Sequence, residues 1–336
     1  MKALRPLRWL SAADVANAMP PLEERLRLAE LTMTALARPG ASELPPKIAI
    51  HPRPDASFVH AMPSHLRGAD ASADLVGMKW VAGYATNTAL GLPGIHATVI
   101  VNDAQTGIPT AILDGGPITA ERTAAVSGVG IRYWGPSSEA AGAGEVDVAV
   151  IGAGVQGRSH LAVFGGLLRG ARLRIFDRSP ERAAALADAA RATGGFAGVS
   201  AHETAREAVE RAHVVFTAAS FGPAEERQTM TNAWLRPDAT VIPIDYATYA
   251  AAEVARDAAL FLVDQREQYL ANRDAGNFDG YPDPMATMGE AILAGRPRPE
   301  GRVVITHLGV GLADLVFADA IVRSAEAAGL GTVLPR

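Results

Sequence analysis

The chain has 336 residues, of which 49% are hydrophobic and 20% charged, and its formal net charge at pH 7 is −5. This composition is typical of a globular protein, and the length predicts about two domains. The excess of acidic residues argues against nucleic acid and anionic membrane surfaces as partners, because neither would be attracted over a distance. The absence of cysteine excludes disulfides, thiolate metal sites and cysteine nucleophiles.

Lysine is used very unevenly along the chain. Only Lys2, Lys47 and Lys79 are lysines among the 31 basic residues, so no lysine follows position 79. This distribution excludes a phosphate-binding loop that ends in Gly-Lys-Ser/Thr, and a Schiff-base lysine, from the rest of the chain. The early residues lack the apolar core of a signal peptide, and no run reaches about 18 apolar residues. We therefore expect a soluble, cytoplasmic protein.

In chain order, the first predicted element is a helical region over residues 11–37, with Ser11 as its N-cap and a break at Pro20-Pro21. Residues 47–115 contain short runs rich in Val, Ile, Thr and aromatic residues, which predict a sheet without intervening helices. A further helix is predicted from residue 117, with Thr119 as its cap and Arg122 in its first turn. The polar, glycine-rich segment 135–145 predicts a domain boundary.

From residue 146 onward, apolar strands alternate with helical segments, which predicts a Rossmann-type, doubly wound parallel sheet. The fold class is therefore α/β, with a second domain of α+β type. The predicted domains are residues 1–135 and 140–311. The last helix, about 311–329, is long enough to return to the first domain, so residues 312–336 are expected to complete it.

The clearest motif is GAGVQG, which comprises Gly152, Gly154, Val155, Gln156 and Gly157 and lies between an apolar strand and a helix. Glycines at these positions allow a tight turn, close approach of a pyrophosphate and close packing of helix on strand.

The next predicted strand ends in Asp177, where an acid accepts hydrogen bonds from the adenosine ribose. Asp177 favours NAD(H) because it would repel a 2′-phosphate. Arg178 and Arg182 leave NADP(H) open as the alternative, since they would pair with that phosphate.

Two cations before residue 135 form a candidate anion site. Lys79 lies in a predicted strand and Arg122 in the helix that follows the sheet region. If they converge, they would orient the carboxylate of a small acid. Spacing alone leaves the alternatives open, namely a solvated lysine and an ordinary salt bridge of the arginine.

Four segments resemble the ornithine cyclodeaminase and mu-crystallin family, namely EVDVAVIGAGVQGRSHL, GMKWVAGYATNTALGLPG, ITAERTAAVSGVG and HLGVGLADLVFADAIVRSAEAAGLGTVLP. The resemblance implies a substrate-binding and dimerisation domain, a Rossmann domain, and a homodimer. It also implies chemistry through an imine at the α-carbon of an amino acid. Lys79 and Arg122 align with the family's carboxylate-binding pair, and Lys47 takes the place of a third basic residue that is usually arginine.

The same resemblance leaves the proton carrier open. Counting from Leu235 places Ala247 at the family's catalytic aspartate, and the nearest carboxylate is Asp245. Two residues along a strand share a face, so Asp245 is a candidate acid or base; the alternative is that it caps the following turn. Tyr246, His96 and a bound water are less supported carriers.

Three functions are compatible with these residues. The first is an NAD(H)-dependent oxidoreductase that acts on the Cα–N bond of a small amino or imino acid, with Lys79 and Asp245 as catalytic residues. The second is a cyclodeaminase in which NAD is not consumed. The third is a non-catalytic NAD(P)-binding protein like mu-crystallin. The eight histidines show no metal-ligand spacing, so no metal is predicted.

Overall fold

The computed structural model describes residues 6–53, 57–220 and 226–336. Contacts between residues divide the chain into two compact units, the first formed by Met1–Arg122 with Gly309–Arg336 and the second by Thr123–Leu308. The units divide after Arg122, before the boundary that the sequence predicts at residues 135–145. The reason is that the later part of one long helix, Gly115–Trp134, packs within the second unit. Its last residue, Trp134, donates from Nε1 to the Arg296 carbonyl at 3.0 Å.

The first unit contains an eight-stranded sheet among its described residues. Its strands are β1 (Leu7–Leu10), β2 (Ser42–Glu43), β3 (Ile48–Ile50), β4 (Ser57–Leu66), β5 (Leu75–Tyr84), β6 (Ile95–Asn102), β7 (Pro109–Asp114) and β16 (Thr332–Leu334). They run in the order β16-β1-β7-β6-β5-β4-β2, with β3 also paired to β4. Only the β1–β7 pair among these is parallel.

Four helices belong wholly or partly to this unit, namely α1 (Ala12–Asn17), α2 (Leu22–Ala37), the first part of α3 (Gly115–Trp134), and α11 (Gly311–Ala327). Helix α11 packs across β4, β5 and β6. Gly77 in β5 permits this packing, because a Cβ there would lie 2.7 Å from Leu315 Cδ1. Without a side chain at that position, the helix can lie close to the strand.

The helix starts test the predictions made from capping residues. Ser11 and Asp14 form a reciprocal capping box at α1, and α2 starts after Pro21, as predicted. The predicted start of α3 is wrong, because the helix begins at Gly115 directly after β7. The Asp114 carboxylate accepts from the Gly116 amide at 2.8 Å and so satisfies the first turn. Thr119 and Arg122 therefore lie inside the helix, and Arg122 gains nothing from a helix N-terminus.

The second unit contains the predicted parallel sheet. Its strands are β8 (Asp147–Ile151), β9 (Arg172–Phe176), β10 (Gly198–Ala201), β11 (Val214–Thr217), β12 (Thr240–Pro243), β13 (Leu260–Val263), β14 (Ala286–Thr287) and β15 (Val303–Thr306). Their order is β10-β9-β8-β11-β12-β15-β13-β14, and every pair is parallel.

The chain winds outward from β8 through β9 and β10, then returns to the other side of β8 at β11. This reversal confirms the doubly wound fold, and ligands bind such sheets where the strand order reverses.

The second unit also contains helices besides the later part of α3. They are α4 (Ser138–Gly142), α5 (Val155–Leu167), α6 (Pro180–Thr193), α7 (Ala205–Val209), α8 (Ala252–Arg256), α9 (Arg266–Asp274) and α10 (Met288–Leu293). Within the three described ranges, no helix is both long enough and apolar enough to span a membrane.

Candidate active site

The glycine motif forms the turn between β8 and α5, at the point where the strand order reverses. Gly152 has a φ of +106°, and a Cβ there would lie 2.6 Å from the Ala218 carbonyl oxygen; a Cβ on Gly157 would lie 2.3 Å from the Gly152 carbonyl oxygen. The first and third glycines are therefore required by the fold. A Cβ on Gly154 would meet nothing within 4 Å. The middle glycine leaves open space at the N-terminus of a helix, as a bound pyrophosphate requires.

We predict that alanine affects stability at one of these glycines and dinucleotide binding at another. Gly157→Ala should destabilise the protein, because its methyl group would overlap the Gly152 carbonyl. Gly154→Ala should leave the melting temperature nearly unchanged and weaken dinucleotide binding about tenfold or more, because its methyl group enters only the open space. Thermal melts and titration of NADH fluorescence measure the two effects. Unchanged NADH affinity of the folded Gly154→Ala variant would exclude a pyrophosphate at this turn.

A cavity of about 500 Å³ adjoins the glycine turn. Gly152, Gly154, Asp177, Arg178 and Arg182 contribute to its lining. The Asp177 carboxylate accepts from the Ala153 amide at 2.7 Å and from the Ser179 amide at 2.9 Å, so it also fixes the glycine turn. The predicted ribose-binding acid and the two predicted arginines thus share one cavity wall.

The first turn of α5 carries the other two residues of the motif. The Val155 side chain is exposed. The Gln156 side-chain oxygen is buried and has no hydrogen-bond partner among the described residues. An orphaned buried acceptor beside an open turn fits a ligand that brings its own hydrogen-bond donor.

A buried hydrogen-bond chain anchors this helix within the second unit. His160 Nδ1 lies 2.7 Å from the Gln156 carbonyl oxygen, and its Nε2 lies 2.8 Å from Ser127 Oγ, which lies 2.9 Å from His307 Nε2. Burial lowers the pKa of His160 to about 3, so its ring is neutral. Since a carbonyl only accepts, Nδ1 donates, Nε2 accepts from Ser127, and His307 Nε2 donates to Ser127. His307 is thus part of the buried hydrogen-bond chain that anchors α5.

Asp245 lies after β12, buried within the second unit. Its carboxylate accepts from the Ala219 amide at 3.2 Å, and its backbone carbonyl accepts from the Thr248 amide at 3.0 Å. Burial raises the pKa of the Asp245 carboxyl to about 6, and the hydrogen bonds that it accepts oppose only part of this shift. A carboxyl with such a pKa can exchange a proton near neutral pH.

The sequence argument that Asp245 and Ala247 share one face of a strand is wrong. Strand β12 ends at Pro243, so Asp245 and Ala247 do not lie on a strand and the rule of alternating faces does not apply. Tyr246 and Ala247 have φ values of 54° and 58°, which bend the chain sharply. Ala247 is buried in the apolar core of the second unit.

Lys79 and Arg122 converge in the first unit on a third residue, Asp314 of α11. Lys79 Nζ lies 2.6 Å from Asp314 Oδ2, and Arg122 Nε donates to Asp314 Oδ1 at 3.0 Å. Asp314 is fully buried, and Lys79 and Arg122 are 2% and 5% exposed. Burial alone would raise the Asp314 pKa, but the charges of Arg122 and Lys79 outweigh it and lower that pKa. The group therefore carries one positive charge in excess when all three residues are ionised.

Lys47 belongs to the same surroundings. It precedes β3, which pairs with β4 beside β5, and its charge contributes to lowering the pKa of Lys79. The larger cause of that lowering is burial of the Lys79 amine, which the attraction of Asp314 only partly offsets. The structure thus brings Lys79 and Arg122 together at Asp314 and places Lys47 close enough for its charge to act on Lys79.

Sequence reasoning missed Asp314 and Gly309. Gly309 has a φ of +78°, and a Cβ there would lie 2.5 Å from Arg122 Nη1, so this glycine makes room for the guanidinium. The available signal was an acidic residue in the otherwise apolar first turns of α11, since a buried carboxylate requires a cationic partner. In the part of the chain that the structure describes, no group of three or more His, Asp or Glu residues could hold a metal ion.

The comparisons with known proteins agree with this architecture. The model of the ornithine cyclodeaminase/mu-crystallin family matches residues 12–328, so the chain belongs to that family, and the resemblance seen in the sequence is confirmed. The chain is 32% identical over 338 residues to nodulation efficiency protein NfeD of Rhizobium meliloti, covering 98% of this chain and 99% of that protein. It is 27% identical over 328 residues to ketimine reductase mu-crystallin of Mus musculus, covering 94% and 96%.

Among solved structures, the fold is similar to that of the Δ(1)-pyrroline-2-carboxylate reductase of Thermococcus litoralis, determined in complex with NADH and L-proline. The TM-score is 0.82 at 24% identity, and the match covers 97% of this chain and 99% of that one. At this identity the likeness establishes the shared fold.

Proposed function

We propose that the protein is an NAD(H)-preferring oxidoreductase that acts on the Cα–N bond of a small amino or imino acid. The observation that carries the proposal is the buried group of Lys79, Arg122 and Asp314 with Lys47 nearby. An excess of positive charge in such a group favours a carboxylate ligand. The names of the relatives support the same chemistry, since one is a ketimine reductase and another a pyrroline-carboxylate reductase.

In this proposal, the first unit binds the substrate. Lys79 and Arg122, with Lys47, hold its carboxylate and stabilise negative charge there. Asp314 keeps the two buried cations in place. Asp245 supplies or removes the proton at nitrogen, which its raised pKa permits near neutral pH. Reduction of one C=N bond consumes one hydride and one proton, and dehydrogenation returns them.

The second unit binds the dinucleotide in this proposal, and the nicotinamide supplies or accepts the hydride when bound. The open turn at Gly154, the orphaned Gln156 oxygen and the adjoining cavity fit a dinucleotide. We propose NAD(H) as the preferred cofactor because the Asp177 carboxylate lines that cavity. NADP(H) is the alternative, since Arg178 and Arg182 line the same wall.

A panel of reactions tests the proposed function. The purified protein is incubated with NADH or NADPH and cyclic imino acids, or 2-keto acids with ammonia or methylamine. A parallel reaction contains L-ornithine and NAD⁺. We expect net oxidation of NADH with at least one imino acid, and a faster reaction with NADH than with NADPH. Lys79→Met should reduce this rate at least about a hundredfold while NADH binding is retained. Wild-type rates in Lys79→Met would remove that residue from the site.

The same panel separates the alternatives. A cyclodeaminase would release ammonia from ornithine without net turnover of NAD, and a non-catalytic protein would bind the dinucleotide and do neither. The alanine at position 247 weighs against cyclodeamination, because counting from Leu235 aligns it with the family's catalytic aspartate.

For the assembly, we propose a homodimer in the cytoplasm. The exposed apolar side chains of Ile48 and Trp80, on strands of the first unit, support burial against a second copy.

A further inference from the structure

His60 of β4 shares a sheet face with Lys79. Lys79 of β5 pairs with Met62, and His60 lies two residues before Met62 on the same strand. Residues two apart on a strand point to the same side, so His60 and Lys79 are diagonal neighbours across the two strands. Ala49 of β3 pairs with His60 from the other side, and Lys47 lies two residues before Ala49. The histidine is thus placed between the two lysines.

The His60 ring is uncharged at neutral pH. Burial lowers its pKa to about 4, with further lowering by Lys47, His51 and Lys79. The ring stacks on Phe58 with 4.6 Å between ring centroids, which fixes its orientation. His60 is only partly buried, so it is not enclosed in the core of the first unit. The face next to Lys79 therefore combines a neutral, oriented imidazole with a positive electrostatic field.

We propose that His60 contacts the side chain of the substrate and selects substrates whose side chain carries no positive charge. This inference rests on the proposed function of the same site. A second ammonium group, such as that of a diamino acid, would lie between Lys47 and Lys79, beside an imidazole that supplies no counter-charge. Like charges a few ångströms apart repel strongly when they are partly shielded from water. A neutral side chain avoids this repulsion and packs on the imidazole and on Phe58.

Binding of two matched amino acids to the NADH-loaded protein tests the selection. L-Norvaline and L-ornithine have the same carbon chain and differ by the terminal amine. Titration calorimetry of the wild type should show norvaline bound at least about tenfold more tightly than ornithine. His60→Glu supplies a carboxylate, so it should reduce the affinity ratio about tenfold or reverse it.

Two further variants control this experiment. His60→Gln keeps a neutral hydrogen-bonding side chain and should preserve the wild-type ratio. His202→Glu makes the same charge change on the edge of the second unit and should also preserve it. Equal affinities in the wild type, or an unchanged ratio in folded His60→Glu, would overturn the role of His60.

Because the ratio is measured without turnover, these outcomes are distinct from failure of the proposed function. That failure would appear as no nicotinamide turnover with any imino acid. Binding of neither amino acid would overturn the selection proposed for His60, while the turnover panel alone decides the proposed function.

Discussion

Asp314→Asn is expected to lower the free energy of unfolding by about 3–5 kcal/mol, because it leaves the buried Arg122 without its counter-charge and removes the attraction that keeps the Lys79 amine protonated. Lys79 Nζ and Arg122 Nε lie 2.6 and 3.0 Å from the carboxylate that would be lost. The variant should also lose activity at temperatures where it remains folded, since the cations would move apart. Urea unfolding at pH 7, followed by circular dichroism, measures the stability.

The pH dependence of this effect has a definite sign. The Asp314 pKa is lowered in the folded protein, so its contribution to stability is present above the ordinary pKa of 3.8 and is lost as pH falls through the folded value. Wild type and variant should therefore become more alike in acid.

Asp319→Asn on the same helix is the matched control, because Asp319 pairs with the mostly exposed Arg323. It should cost less than about 1 kcal/mol. A cost below about 1 kcal/mol for Asp314→Asn would contradict the assignment of a buried counter-charge.

Asp245→Asn is expected to move stability and activity in opposite directions. The raised pKa means that the folded protein holds this proton more tightly than the unfolded chain does. Wild-type stability should therefore fall by about 3 kcal/mol as pH rises from about 3.8 to 6, and this component should stay constant above that range. The asparagine side chain lacks this ionisation and can still accept from the Ala219 amide, so the variant should be the more stable protein at pH 8.

Activity provides the second measurement on the same variant. If Asp245 transfers the proton, Asp245→Asn should reduce the rate of imine reduction about a hundredfold or more. The combination of higher stability and lower rate excludes misfolding as the cause. A variant that is more stable at pH 8 and fully active would assign Asp245 only to the turn that follows β12. Stability that does not differ between the two proteins across pH 4–8 would contradict the raised pKa.

The predictable features were those with local physical causes. The Ser11 capping box and the break at Pro20-Pro21 follow from backbone hydrogen bonds within a few residues, and both are confirmed. The glycine turn after β8 follows from the space that each glycine must leave, and the structure shows the required close approaches at Gly152 and Gly157. The start of α3 was predicted wrongly because the cap comes from Asp114, the last residue of the preceding strand.

The candidate site shows the same difference between features with local causes and features that depend on distant parts of the chain. Lys47, Lys79, Arg122, Asp177 and Asp245 could be named from residue type, motif position and family resemblance. Their surroundings could not be named, because these depend on residues far away in the chain. Asp314 is 192 positions from Arg122, and it reaches that residue only because α11 packs on the sheet of the first unit.

By itself, the sequence determined the class of the protein. Periodic apolar strands and helices specify a doubly wound sheet, the glycine spacing specifies a dinucleotide turn, and the scarcity of lysine directs attention to Lys47 and Lys79. Only the tertiary structure decided which charges meet and what their ionisation states are. Burial and long-range pairing set the pKa values of Asp245, His60 and Lys79, and neither can be read from neighbours in the chain.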